Sequence, residues 1–441
     1  MQPLIKSTGL SEYKISHNLS LSTQSDSAVN FLLEKYHDCR EKHAQCSLPE
    51  RPTSTAYPSR LLNVGTEEHS LIILCSTNMF RDEEYVCLSH CWGEMKPFTL
   101  NAETQSALVR GVNVTTLPKT FQDAINVTRR LCIQYLWIDS LCILQDNEDD
   151  WATESGRMGH IYAHAACTIA ATASKDSSGG LFFARCPQLL EPRRVYFDFS
   201  PKAPWLEGKD VGFTLVGTYL CDVQHLAERC IEDAPLNSRA WVSQERQLSR
   251  RLLHFTSTQL FWECYECTAC ETYPECLPDW ARPFWLVDAT LLKDRLRNIT
   301  KQDKDGLDIN TYYAWVTYRY QYSRCALTHN TDKLVAIHGI ANRVSQATGD
   351  EFVAGLWRSR IIEELCWNTG HPTTKTTEWR APTWSWASSN AAINFSLLTK
   401  FHGGHSSRHI EAELVELDVR TKASGQLEDA SMKIKCKLLS A

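Results

Sequence analysis

Short apolar runs alternate with amphipathic stretches through the first half of the chain. "YVCLSH" (85–90), "YLWI" (135–138) and "CTIAATA" (167–173) are continuously apolar and too short for helices, so they read as buried strands. Between the first two, Phe121, Ala124, Ile125, Thr128 and Leu131 recur at three-four spacing, which predicts a helix over 117–130 with Pro118 in its first turn. Asp149 or Asp150 is placed to cap a second helix running to about Ala165. Strands alternating with helices predict right-handed crossovers and a parallel sheet with helices on both faces. Such a sheet binds ligands beyond the carboxyl ends of its strands.

The second half is patterned differently. "LNSRAWVSQERQLSRRLLHF" predicts a helix running into a strand, and "TQLFWEC" a further strand. Three-four stripes predict helices over 312–323, 332–344 and 351–366. "APTWSWAS", "HIEAELVELDV" and "MKIKCKLL" alternate at period two and read as strands. The expectation is a C-terminal α+β region packed on the first. Residues 47–69, rich in Pro, Ser and Thr, read as a linker.

The strand ends carry the chemistry. Ser89, His90 and Trp92 follow the first strand, and Asp139, Ser140 and Cys142 follow the second. Two helices also place a carboxylate inside an apolar stripe. Glu154 lies among Trp151, Ser155, Met158 and Tyr162, and Glu245 among Trp241, Leu248 and Leu252. A core-facing carboxylate is paired, hydrogen-bonded, or raised in pKa. Each is therefore either half of an ion pair, with Arg157, Arg239 or Arg246, or a catalytic candidate. Cys142, His90 and Asp139 also form a candidate nucleophile, base and orienter. Cys39, His43 and Cys46 follow C-x3-H-x2-C spacing, which on a helix shares one face and lacks a fourth zinc ligand. Cys264, Cys267, Cys270 and Cys276 form a second thiol cluster without paired-knuckle spacing.

Composition narrows the setting. In 441 residues, 43% hydrophobic and 22% charged is ordinary globular content, and a net charge of −6 argues against nucleic acid as a partner. No apolar run reaches membrane-span length, and the N-terminus lacks a signal-peptide core. Eighteen cysteines without a secretory signal are expected to be reduced thiols in the cytoplasm.

"YVCLSHCWG" (85–93), "LPKTFQDAINVTRRLCIQYLWIDSLCILQDNEDDWATESGRMGHIYAHAACTIAA" (117–171) and "RAWVSQERQLSRRLLHF" (239–255) together resemble the fungal heterokaryon-incompatibility (HET) domain family. "FWEC" with "CETYP", the "YSRCALTHNTDKLVAIHGIA" stretch and "APTWSWAS" resemble the extended architecture of its standalone members, and C-x3-H-x2-C resembles their leader. The resemblance implies a remote likeness to TIR domains, with a flavodoxin-like sheet, and a role in non-self recognition and cell death. It implies residues 1–60 as leader and linker, 61–264 as the domain proper, and 265–441 as the C-terminal region. Some TIR domains cleave NAD at the nicotinamide–ribose bond through one glutamate in a W-x-x-E-like pattern. Here Trp241 to Glu245 has that cast with one extra residue, so Glu245 is the first catalytic candidate, with Glu154 and Asp139 beside it. Ser89, His90, Trp92, Ser140 and Cys142 are then substrate-binding candidates, NAD a candidate substrate, and zinc a candidate ion at Cys39, His43 and Cys46. The alternatives are a non-catalytic, self-associating signalling module, and a different small-molecule enzyme on the same scaffold. Expected partners are a nucleotide or metabolite and further copies of the chain.

Overall fold

The computed structural model describes residues 4–6, 15–16, 19–47, 57–79, 83–93, 98–190, 192–199, 215–221, 226–282, 292–298, 307–370, 378–394, 412–422 and 426–437. Its centre is a nine-stranded sheet. In chain order the strands are β1 Arg60–Asn63, β2 Leu71–Ser76, β3 Tyr85–Ser89, β4 Val112–Asn113, β5 Tyr135–Ile138, β6 Cys167–Ala170, β7 Arg251–Phe255, β8 Leu260–Cys264 and β9 Thr268–Cys270. In space they run β9-β8-β7-β6-β3-β5-β1-β2-β4.

The middle four, β5-β3-β6-β7, are mutually parallel, and every pairing outside them is antiparallel. All three runs read as buried strands in the first half are therefore neighbours, with Leu88 opposite both Ile138 and Ile169. Taken in chain order, the parallel strands lie 2-1-3-4. That is the doubly wound order in which the chain reverses direction between strands one and three, here β3 and β6.

The reversal fixes the helix layers. Right-handed crossovers put α2 (Lys119–Arg130) on one face and α3 (Glu148–His164) and α4 (Ala240–Leu248) on the other. An N-terminal helix, α1 (Asp26–Lys42), shares the face of α2, with Arg130 paired to Asp26 at 3.2 Å. Behind α3 and α4 lies a C-terminal layer of α5 (Ile309–Tyr322) and α6 (Val335–Thr348). Close approach there requires glycine: a Cβ on Gly159 of α3 would stand 3.0 Å from the Gly339 Cα of α6 and 3.1 Å from Leu248. A hairpin of Ala412–Thr421 with Leu427–Cys436 completes the C-terminal α+β part.

Several sequence expectations are corrected. Asn147, not Asp149 or Asp150, caps α3 by accepting from the Asp150 N–H. The helix of 238–252 ends at Leu248, so Leu252 belongs to a strand and not to the Glu245 stripe. The part of the expected linker from Arg60 onward is the β1–β2 hairpin; 48–56 lie outside the described residues. Residues 351–366 are not one helix. Phe352–Val353 and Leu356–Trp357 form a tight hairpin whose turn, Ala354 and Gly355, takes φ of 49° and 96°, and a helix cannot pass through two left-handed residues. "APTWSWAS" is a turn followed by a single 3-10 turn, Trp386–Ser388, instead of a strand.

Candidate functional site

Ser89 is the last residue of β3, and Asp139 follows β5 directly, so register alone brings them side by side at the carboxyl edge of the sheet. Trp92 folds back across this edge and its Nε1–H donates to Asp139 Oδ2 at 2.8 Å. Asp139 Oδ1 accepts from the Ser140 N–H at 2.7 Å. His90 Nδ1 stands 3.7 Å from the same oxygen, with the ring edge-on to Phe121 of α2. Burial holds His90 down to about 4, so near neutral pH its imidazole is uncharged and makes no ion pair.

Glu245 reaches this edge from α4. It is 3% exposed, and burial pushes its carboxyl up to about 7. Arg239 pulls it down, Asp139 pushes it further up, and the Ser89 and Tyr162 hydroxyls pull it down less strongly. Of its three possible ion-pair partners, Arg246 is engaged by Glu232 and Glu263 at 2.8 and 2.9 Å, and Arg157 lies with Glu154. Arg239 donates to the His90 carbonyl. Glu245 thus lacks a salt bridge among the described residues, and its Oε2, the Ser140 Oγ and both His90 ring nitrogens are buried without a hydrogen-bond partner there. Each such orphan costs about 1–3 kcal/mol. Four such atoms gather around one strand-end edge.

The second glutamate sits in different surroundings. Glu154 is fully buried, but Ser59 Oγ donates to its Oε1 at 2.6 Å and Arg157 Nη1 lies 3.3 Å away. Cys142 is also fully buried, its thiol pushed up to about 12 by burial, and Arg60 Nε donates to its carbonyl at 2.7 Å. Burial thus disfavours both the Cys142 thiolate and the His90 imidazolium. Trp241 points away, its Nε1 3.3 Å from Asp332 in the C-terminal layer. Sequence reasoning missed Tyr162 as a neighbour of Glu245. Its only signal was a place on the same stripe as Glu154, and its hydroxyl donates to the Leu88 carbonyl at 3.3 Å.

At the opposite edge, Cys39 and His43 end α1, and the 3-10 turn Ala44–Cys46 swings Cys46 back towards them. The three do not share one helical face, since the helix stops at Lys42. Cys264, at the end of β8, joins them, and all four donor atoms lie within 4.8 Å of one another, a set that could hold a metal ion. Cys264 therefore belongs with this group and not with the second thiol cluster, where Cys267 Sγ donates to the Glu275 carbonyl at 3.0 Å.

Residues 85–245, which span α2, α3 and all but the end of α4, match the family model described as Heterokaryon incompatibility protein (HET). No curated protein and no solved structure matches the chain.

Proposed function

We propose that this chain, whose residues 85–245 match the heterokaryon-incompatibility (HET) family model, is a protein of that type whose strand-end edge is a hydrolytic site that cleaves NAD at the nicotinamide–ribose bond. The observation that carries the reading is Glu245: a buried carboxyl raised to about 7, without a salt bridge among the described residues, at the point where the sheet reverses direction. In its ionised form it faces the positive charge that develops on the ribose as the glycosidic bond breaks. Nicotinamide leaves with the bonding electron pair, water adds to the ribose carbon, and the water's second proton is released. The products are nicotinamide and ADP-ribose. Asp139, fixed by Trp92 and the Ser140 N–H, and the Ser89 and Ser140 hydroxyls are the groups to hold ribose hydroxyls. Trp92 offers a ring for nicotinamide or adenine to stack on. Glu154, tied to Ser59 and Arg157, holds structure in this reading. Depletion of NAD is a direct route to the cell-death reaction that the family implies. The test is nicotinamide release from NAD by the pure protein, absent in Glu245→Gln.

One observation favours a second reading. Ser89, His90 and Glu245 are each 2–3% exposed, so the edge is largely closed over. A closed edge suits a non-catalytic module that signals by self-association, which light scattering across a concentration series detects. Turnover of a metabolite other than NAD, lost in the same Glu245 variant, would point instead to small-molecule chemistry on the same edge. No described helix is long and apolar enough to cross a membrane.

A further inference from the structure

The quartet of Cys39, His43, Cys46 and Cys264 lies at the amino edge of the parallel strands, since Cys264 pairs with Arg251, the first residue of β7. It takes no part in the chemistry of the opposite edge. Three of its members are nearly or fully buried: Cys39 and Cys46 at 0% and Cys264 at 6%. With Zn–S about 2.3 Å and Zn–N about 2.05 Å, a tetrahedral ion sets its sulfurs about 3.8 Å apart and sulfur to nitrogen about 3.6 Å. The four donors lie within 4.8 Å of one another, and Cys264 Sγ is 3.3 Å from His43 Nδ1. A small adjustment of this arrangement gives a closed tetrahedron of three sulfurs and one nitrogen.

The surroundings supply an independent argument. Arg250 and Arg251 are each 5% exposed. Arg251 Nε lies 3.2 Å from Cys39 Sγ, and both side chains donate to the Cys46 carbonyl, at 2.9 and 3.3 Å. Their other hydrogen bonds go to backbone carbonyls of residues 163–166. Among the described residues no carboxylate pairs with either guanidinium, although buried positive charge ordinarily requires a counter-charge. Three thiolates around a divalent ion carry a net charge of −1, which supplies one. Neutral thiols would leave two buried guanidiniums with dipoles alone.

We propose that Cys39, His43, Cys46 and Cys264 bind one Zn²⁺ in a closed, structural tetrahedral site that fastens the end of α1 to the end of β8. Four protein ligands leave no position for water or substrate, so the ion is not catalytic. Thiolate and imidazole donors in tetrahedral array select zinc over magnesium or calcium. The ion would join two segments more than two hundred residues apart in sequence, closing a long loop whose entropy otherwise favours the unfolded chain.

Metal analysis of the full-length protein, purified without chelator, tests this. About one zinc per chain is expected, lost in Cys264→Ser and retained in Cys267→Ser, whose thiol lies outside the quartet. Less than a tenth of an ion per wild-type chain after zinc supplementation overturns the proposal, as does a full ion in Cys264→Ser. If Cys264→Ser does not fold, the wild type decides through cobalt exchange. Tetrahedral d–d bands with thiolate charge transfer support the site, and an octahedral spectrum overturns it. Chelation should speed proteolytic cleavage around α1 at least tenfold; an unchanged rate refutes the fastening role.

Discussion

Replacing Glu245 by glutamine separates an unpaired buried acid from half of an ion pair. Moving a carboxyl from 4.5 to about 7 disfavours its ionised form in the folded state by about 3 kcal/mol, at roughly 1.4 kcal/mol per pH unit. The folded pKa lies above the unfolded one. The penalty is therefore absent below pH 4.5, grows as pH rises, and is complete above about 7. Glutamine has the shape of the acid and never ionises. Wild type and Glu245→Gln should therefore have closely similar urea midpoints at about pH 4, and at about pH 8 the variant should be the more stable by up to about 3 kcal/mol. An ion-paired glutamate predicts the reverse, a variant destabilised by roughly 3–5 kcal/mol at neutral pH and above. A Glu245→Gln protein less stable than wild type at pH 8 would refute the assignment of Glu245 as an unpaired buried acid.

Other outcomes follow from the same geometry. NAD cleavage by the wild type should rise with pH through about 7 as Glu245 ionises, a limb read from a pH–rate profile. Asp139→Asn should weaken the contact to Trp92, costing about 1–2 kcal/mol in denaturant titration and lowering turnover. Glu154→Gln should cost about 1–2 kcal/mol and leave activity per folded molecule unchanged, because Arg157 is 31% exposed and can turn to water. Glu364→Gln should be harsher, roughly 3–5 kcal/mol in the same titration, because its partner Arg319 at 3.0 Å is fully buried with it.

The parallel centre was legible because β3, β5 and β6 are continuous apolar runs flanked by amphipathic helices, a pattern few other arrangements satisfy. The antiparallel additions were not. β2 is itself a continuous apolar run, yet Leu71 and Ile73 are exposed, so an apolar run alone does not separate this solvated antiparallel flank from the buried parallel centre. The hairpin at 352–357 was hidden by apolar spacing that also suits a helix. Its decisive feature, an alanine followed by glycine both at positive φ, is backbone geometry that composition at Ala354 argues against. In "APTWSWAS", period two came from two tryptophans. Trp386 is buried because its Nε1–H reaches the Gly355 carbonyl at 2.6 Å, a tertiary contact and not a ladder position.

At the site, the neighbourhood of Ser89, Trp92 and Asp139 was readable because strand ends converge by topology. The difference between Glu154 and Glu245 was not, since it depends on where Ser59 and three arginines point. Cys264 was visible as a thiol but not as the fourth donor, because only the pairing of β7 with β8 carries it to α1.

Glu245 acting on a glycosidic bond is open to chromatographic measurement of the nicotinamide released from NAD. The wild-type protein should release nicotinamide and ADP-ribose in equal amounts over many turnovers. Glu245→Gln, folded by circular dichroism, should be slower by at least a hundredfold, the scale expected when a transition-state charge is removed. Equal release by wild type and variant, or none by a folded, zinc-replete wild type, would show that Glu245 is not the catalytic carboxylate of an NAD-cleaving site.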